Sequence, residues 1–238
     1  MNEDKIYIDE KLGDEPFRFD DSVANVFPDM LRRSIPGYAA SIEAIGSLAA
    51  RYVRPGTNCY DLGCSLGAAT LAMHQGIRAD DCRIMAVDSS EAMIQKCKTV
   101  VAGANNVEVR LADIRDIAIE NASMVVMNYT LQFLDLGARA TMIRRIHDGL
   151  IKGGLFLLSE KVVDEDPHME ELLVDLHHEH KRRNDYSQLE ISRKRAALEN
   201  VLVPESVATH RERLATAGFA HSAVWLRYFN FVSIVAIK

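Results

Sequence analysis

Apolar positions along this chain follow two periodicities, and each predicts a different kind of element. Between residues 20 and 53 they recur at helical spacing. Val23, Val26, Phe27, Met30 and Leu31 share one face over 20–33, and Ile42, Ile45, Leu48 and Ala49 share one over 38–53. Ser34-Ile35-Pro36-Gly37-Tyr38 breaks the chain between the two helices. From residue 58 onward short apolar runs alternate with helical periods. Strands are predicted at 58–62, 83–88, 107–111, 124–129 and 155–160, and helices at 68–75, 91–102 and 139–150. The runs Ile84-Met85-Ala86-Val87 and Met124-Val125-Val126-Met127 have no polar face, as parallel strands buried on both sides require. A helix at 206–217 stops at Gly218, and strands at 222–228 and 231–237 follow, with Asn230 marking a tight antiparallel return. The pattern predicts an α/β fold: a mostly parallel, seven-stranded sheet with right-handed crossovers and an antiparallel terminal strand.

Two segments stand apart. Residues 1–18 read as a polar, loosely ordered leader, and 19–238 as a single α/β domain. Residues 162–203 interrupt the alternation with a charged, helically patterned insertion, longer than a crossover needs and of the kind that serves as a lid or an assembly surface.

The first predicted strand runs into Asp61-x-Gly63-x-Ser65-x-Gly67 and then a helix, a strand–turn–helix unit that holds nucleotides in Rossmann-like sheets. Glycine admits the backbone to a ligand, and the helix N-terminus offers free N–H groups. Asp88 follows Gly67 by about 20 residues, at the end of the second strand, where a ribose hydroxyl acceptor belongs. Ser65 replaces the glycine that would admit a pyrophosphate. An adenosine ligand without one, such as S-adenosylmethionine (SAM), suits the motif, and Asp61 suits its cationic groups. Two other readings exist for the same residues. Gly63-Cys64-Ser65-Leu66-Gly67 spells a hydrolase nucleophile elbow, with His210 or His221 as the partner, although several strands normally precede that motif. A tight turn without a ligand is the other, and Asp88 argues against it.

Further candidates lie at the remaining strand ends. Asp113 and Ile114 are placed to meet an adenine, or Asp113 is simply a cap. Asn128 is placed near a reactive group, or is a loop amide. His177-His178-Glu179-His180 lacks the spacing of a zinc motif and reads as a solvated face, so no metal is expected. Arg193-Lys194-Arg195 lies in the insertion beside Leu189, Ile191 and Leu198, where a guanidinium can clamp a carboxylate.

Charge changes the picture by exclusion. The 238 residues carry a formal charge of −6, with only short basic clusters, which argues against direct nucleic-acid binding. Cys59, Cys64, Cys82 and Cys97 show no C-x-x-C spacing and read as reduced thiols of a cytoplasmic protein, Cys64 being the one placed to form a low-pKa thiolate. The acidic N-terminus is no secretory signal, and no apolar run is long enough to span a membrane.

Segments 19–30, 60–70 and 113–126, together with Arg33-Ser34-Ile35-Pro36-Gly37-Tyr38 and Leu189-Glu190-Ile191-Ser192-Arg193-Lys194-Arg195, closely resemble the carboxy-S-adenosyl-L-methionine synthase family. The likeness runs from about Phe19 to the C-terminus and includes the insertion. It implies a class I methyltransferase fold with an unusual reaction: SAM and prephenate give carboxy-SAM and phenylpyruvate, for wobble-uridine modification in tRNA. Prephenate would aromatise with loss of its ring carboxyl, and the deprotonated sulfonium methyl would capture the carbon dioxide. The hydroxide expelled from prephenate would take the proton. By the same resemblance Gly63, Cys64 and Ser65 would line the methionine end. Asp88 and Ser89 would meet the ribose, Asp113 and Ile114 the adenine, and Asn128 the sulfonium. Tyr38 and Arg195 would engage the new carboxylate, the arginine across a homodimer interface, and a tRNA carboxymethyltransferase would use the product. Arg115, Arg193 and Arg195 are all candidates for the carboxylates of prephenate. The residues alone also fit an ordinary small-molecule methyltransferase or a non-catalytic SAM or carboxy-SAM carrier.

Overall fold

The computed structural model describes residues 2–8 and 16–238. Asp20 starts the first helix: its carboxylate accepts from the Val23 N–H at 3.0 Å, pairing a donor that a helix N-terminus otherwise leaves free. The elements run α1 (Asp21–Ser34), α2 (Tyr38–Tyr52), β1 (Asn58–Leu62), α3 (Ala68–Gly76), β2 (Arg83–Asp88), α4 (Glu91–Val100), β3 (Val107–Leu111), β4 (Ala122–Asn128), α5 (Leu136–Gly149), β5 (Leu150–Val163), α6 (Pro167–Arg183), α7 (Gln188–Leu198), β6 (Glu205–Ser206), α8 (Val207–Ala217), β7 (His221–Tyr228) and β8 (Phe231–Ile237).

The sheet order is β3-β2-β1-β4-β5-β8-β7, with the two-residue β6 pairing β5 off this path. Strands β1 to β5 are parallel, and β8 runs antiparallel to both β5 and β7. The order reverses between β1 and β4, which opens a crevice at their carboxyl ends. Both faces of the sheet are covered. Met124 and Val126 of β4 pack with Ile45, Ala49 and Met73 of α2 and α3. Val125 and Met127 pack on the other side with Met142, Ile143, Ile146 and Leu214 of α5 and α8. This two-sided burial explains the unbroken apolar run in β4.

β5 is longer than the apolar run 155–160 predicts. Gly153 and Gly154 read as a breaker, yet Gly153 takes φ +74° and the strand continues through them from Leu150, which pairs with Ala122. The helix expected at 139–150 ends at Gly149 for the same reason, and it starts earlier, at Leu136 after Asp135. The insertion holds α6 and α7. Asp166 caps α6 through the His168 and Met169 N–H groups, and Ser187 with Glu190 forms a reciprocal capping box on α7.

The start of the chain is a packed segment, which corrects the loosely ordered leader. Asp4 and Tyr7 are buried. The Asp4 N–H donates to Asp29 Oδ2 at 2.8 Å, Arg33 donates to the Asp4 carbonyl at 3.1 Å, and Tyr186 and Lys194 reach the Asp4 carboxylate. A buried acid is held there by one cation and a phenol, with Arg33 gripping its backbone, all distant in sequence. Residues 9–15 of the expected leader lie outside the described residues. Among the described residues no helix is long and apolar enough to cross a membrane.

Candidate active site at the carboxyl edge of the sheet

β1 delivers Asp61 and then turns sharply. Gly63 at φ +83°, Ser65 at φ +51° and Gly67 at φ +86° reverse the chain into α3, in the left-handed region that favours glycine. The turn is tied to β2: the Gly63 and Cys64 N–H groups donate to the Val87 carbonyl at 2.8 and 2.9 Å, and the Ser65 N–H to Asp88 Oδ2 at 2.9 Å. A Cβ at Gly63 would stand 2.3 Å from Thr130 Oγ1, so the turns after β1 and β4 meet closely there.

These turns, α1, α2 and the insertion enclose a cavity of about 780 Å³, ample for a nucleoside with a small co-substrate. Tyr38, Gly63, Cys64, Ser65, Asp88, Ser89, Asp113, Ile114, Asn128 and Arg195 all line it. Sheet order fixes their sequence across the crevice: Asp113 follows β3, Asp88 and Ser89 follow β2, Asp61 to Ser65 end β1, and Asn128 ends β4.

Two orphaned acceptors test the fit to an aminoacyl nucleoside. Asp61 takes the Thr70 hydroxyl on Oδ2 at 2.6 Å, but its buried Oδ1 has no partner, and neither has the buried Asn128 Oδ1. Buried acceptors without donors are costly, and an ammonium or a hydroxyl entering the cavity would satisfy them. Burial lifts Asp61 to about 6, with Thr70 opposing and Asp88 adding to the rise. Binding of a cationic ligand favours the carboxylate, so the folded, ligand-free protein should release a proton on binding. SAM affinity is expected to rise as pH climbs through about 6, by up to about tenfold per unit, and to lose this slope in Asp61→Asn. Calorimetry between pH 5 and 7.5 checks it, and a flat wild-type profile would contradict it.

Other residues are engaged in ways the sequence did not reveal. Asp88 takes the Ser90 N–H on Oδ1 at 2.9 Å as well as Ser65, so it holds the turn while keeping lone pairs for a ligand. Asp113 caps the single turn Ile114–Asp116 and grips the Arg115 guanidinium at 2.6 Å, which holds its carboxyl below the usual range. Burial raises the Tyr38 hydroxyl, with Asp61 adding to the effect, so it remains a donor. Cys64 is buried, and its contact with Cys97 together with burial drives the thiol upward, so it is not the low-pKa thiolate that its place near the helix N-terminus offered as an alternative to an inert thiol.

The histidine run is not a solvated face. His177 is buried against the Ser34 carbonyl at 2.9 Å and pushed down to about 2 by burial, while His178 lines the cavity. Among the described residues no group of three or more His, Cys, Asp or Glu could hold a metal. His210 and His221, the partners offered to Ser65 in the nucleophile-elbow reading, do not line the cavity. Arg193 donates to the Tyr7 and Ile8 carbonyls, and Arg115 is committed to Asp113. Lys161 of β5 and Lys181 of α6 also line the cavity, and neither stands out in the sequence: one follows the apolar run 155–160 and the other opens a short basic cluster.

A methyltransferase domain model matches residues 60–154. The fold is shared with human N-acetylserotonin methyltransferase in complex with SAM (TM-score 0.62, 16% identity, covering 100% of this chain and 60% of that one). It is shared too with a S-adenosyl-L-methionine-dependent methyltransferase of Methanococcus maripaludis, described as putative (TM-score 0.60, 21% identity, 94% and 96% covered). The chain is 54% identical over 232 residues to the carboxy-S-adenosyl-L-methionine synthase of Vibrio cholerae serotype O1, covering 96% of this chain and 94% of the relative. It is 53% identical over 231 residues to that of Escherichia coli K12, covering 96% and 93%. The match takes in the insertion as well as the nucleoside turn, so the chain belongs to the carboxy-S-adenosyl-L-methionine synthase family.

Proposed function

We propose that this protein converts SAM and prephenate to carboxy-SAM, phenylpyruvate and water, and that the product serves a tRNA carboxymethyltransferase. The observation that carries the reading is a single cavity in which a nucleoside turn faces cationic side chains from β5 and the insertion. An ordinary methyltransferase gives those cations no task. SAM supplies the methyl carbon to be carboxylated. Asp61, Ser65 and the Gly63 turn hold its aminoacyl end, Asp88 and Ser89 its ribose, and Asp113 and Ile114 its adenine. Asn128 and Tyr38 present an amide and a protonated phenol beside the reacting carbon. The cavity's apolar wall, from Phe19, Phe27 and Phe133, excludes water from a reactive intermediate. Incubation of purified protein with SAM and prephenate, read by mass spectrometry, tests the proposal. A species of SAM plus carbon dioxide is expected; S-adenosylhomocysteine alone would favour a methyltransferase, and retention without turnover a carrier.

Arg195 is assigned to the new carboxylate. It lines the cavity of its own chain yet remains exposed, so solvent screens part of its effect. Arg195→Ala is expected to weaken carboxy-SAM by about tenfold while leaving SAM within about twofold. Equal losses in two titrations would remove the assignment. The insertion also exposes Met169, Leu172 and Leu189, apolar surface suited to pairing with a second copy. A homodimer by sedimentation is the expected state.

A further inference from the structure

The strand order reads out positions along the crevice: adenine residues after β3, ribose residues after β2, the aminoacyl turn after β1 and Asn128 after β4. The next strand is β5. Its Ser159 is the register partner of Asn128, and Lys161 lies two residues further on, lining the cavity. Lys181 and His178 of α6 reach the same wall, beside Arg195 of α7. Lys181 is only 8% exposed. Among the described residues neither the Lys161 nor the Lys181 ammonium has a hydrogen-bonded or ion-paired partner, whereas neighbouring Lys194 donates to Ser34 Oγ at 3.0 Å and pairs with Asp4 at 3.5 Å. Burial pushes Lys161 down and Lys181 to about 7; Arg195 acts on both as a like charge, Lys194 and Lys161 add to the effect at Lys181, and Glu170 opposes it at Lys161 and Asp4 at Lys181. Partly desolvated cations crowded together without a carboxylate in contact are unfavourable, and an anionic ligand reduces the cost.

We infer that Lys161 and Lys181 bind the carboxylate of the co-substrate that stays on the 2-oxo acid product, leaving Arg195 to the carboxylate that is transferred. The inference rests on the synthase reading above. The transferred group must sit at the reacting carbon near Asn128 and Tyr38. A neighbouring strand lies about 4.8 Å away, and two residues add about 6.6 Å along it. Lys161 therefore serves a group set back from the reacting carbon, as the 2-oxo acid arm of prephenate is.

Phenylpyruvate carries only the retained carboxylate, so its inhibition separates the two roles. In Lys161→Met and Lys181→Met the KM for prephenate and the Ki for phenylpyruvate should each rise about thirtyfold, with SAM affinity by calorimetry within about threefold. Lys161→Arg should recover most of the loss, and Arg195→Ala should leave phenylpyruvate inhibition unchanged. Unchanged phenylpyruvate inhibition in both methionine variants would overturn the inference alone. So would parallel loss of SAM affinity, which would make the lysines structural. Wild-type protein that forms no carboxy-SAM would overturn the synthase reading and this inference with it.

Discussion

Replacing Arg139 with alanine is expected to lower the unfolding free energy by about 3–5 kcal/mol, the largest loss we anticipate from any charged residue in the fold. Its side chain is fully buried. The guanidinium donates to the carbonyls of Leu134, Gln132 and Val203 at 3.0, 3.0 and 2.9 Å, and to Glu205 Oε2 at 2.6 Å. Alanine would take the guanidinium from the Leu134 and Val203 carbonyls and from one oxygen of Glu205, whose other oxygen takes Arg213 at 2.5 Å, while the Gln132 carbonyl keeps the Val203 N–H at 3.1 Å. Glu160, opposite, accepts the Leu131 and Gln132 N–H groups at 3.0 and 2.9 Å. Burial lifts that carboxyl to about 8 while Arg139 pulls it down, so the variant loses this counter-charge too. The segment so anchored follows directly on Asn128, Tyr129 and Thr130 in the cavity wall. Urea unfolding should show a lower midpoint at an unchanged slope. Arg139→Lys, lacking the planar fork, should recover only part of the loss. A change below about 1 kcal/mol would show that the network relaxes around the gap.

That network marks where the sequence stopped being informative. Strands 58–62, 83–88 and 107–111 were legible to the residue: 83–88 carries the unbroken apolar run of a strand inside the sheet, and the edge strand 107–111 alternates Val107, Val109 and Leu111 with Glu108 and Arg110. The nucleoside turn was legible because Gly63 and Gly67 occupy backbone conformations that few other residues accept. The N-terminal segment was not. Asp4 looks like one acid in a polar stretch, and its burial depends on Arg33, Tyr186 and Lys194, none local to it. Lys161 and Lys181 were missed for the same reason. A lysine after an apolar strand and a lysine in a basic helix both read as solvent-facing until the insertion closes over them. Eight of the ten assigned residues meet in one cavity because strand ends converge by topology, whereas Tyr38 comes from α2 and the cations facing them from β5, α6 and α7.

Gly63→Ala is expected to reduce SAM affinity by at least about a hundredfold, the largest binding loss of any single methyl addition. Two effects act together. Gly63 sits at φ +83°, where a side chain costs about 1–2 kcal/mol. The added Cβ would also lie 2.3, 2.4 and 2.9 Å from Thr130 Oγ1, Cγ2 and Cβ, so the end of β4 must retreat, at about 1–3 kcal/mol. Retreat would separate the turns after β1 and β4 that line the cavity together, moving Asn128 and Thr130 from Asp61 and Ser65. It would also strain the bonds from Gly63 and Cys64 to the Val87 carbonyl. Thr130→Ala in the same background removes the two closest atoms and should restore part of the affinity, since the backbone strain remains. Recovery in the double variant would assign the loss to the steric meeting of β1 and β4. If Gly63→Ala binds SAM like wild type in equilibrium titration, the apposition of these turns does not govern the site.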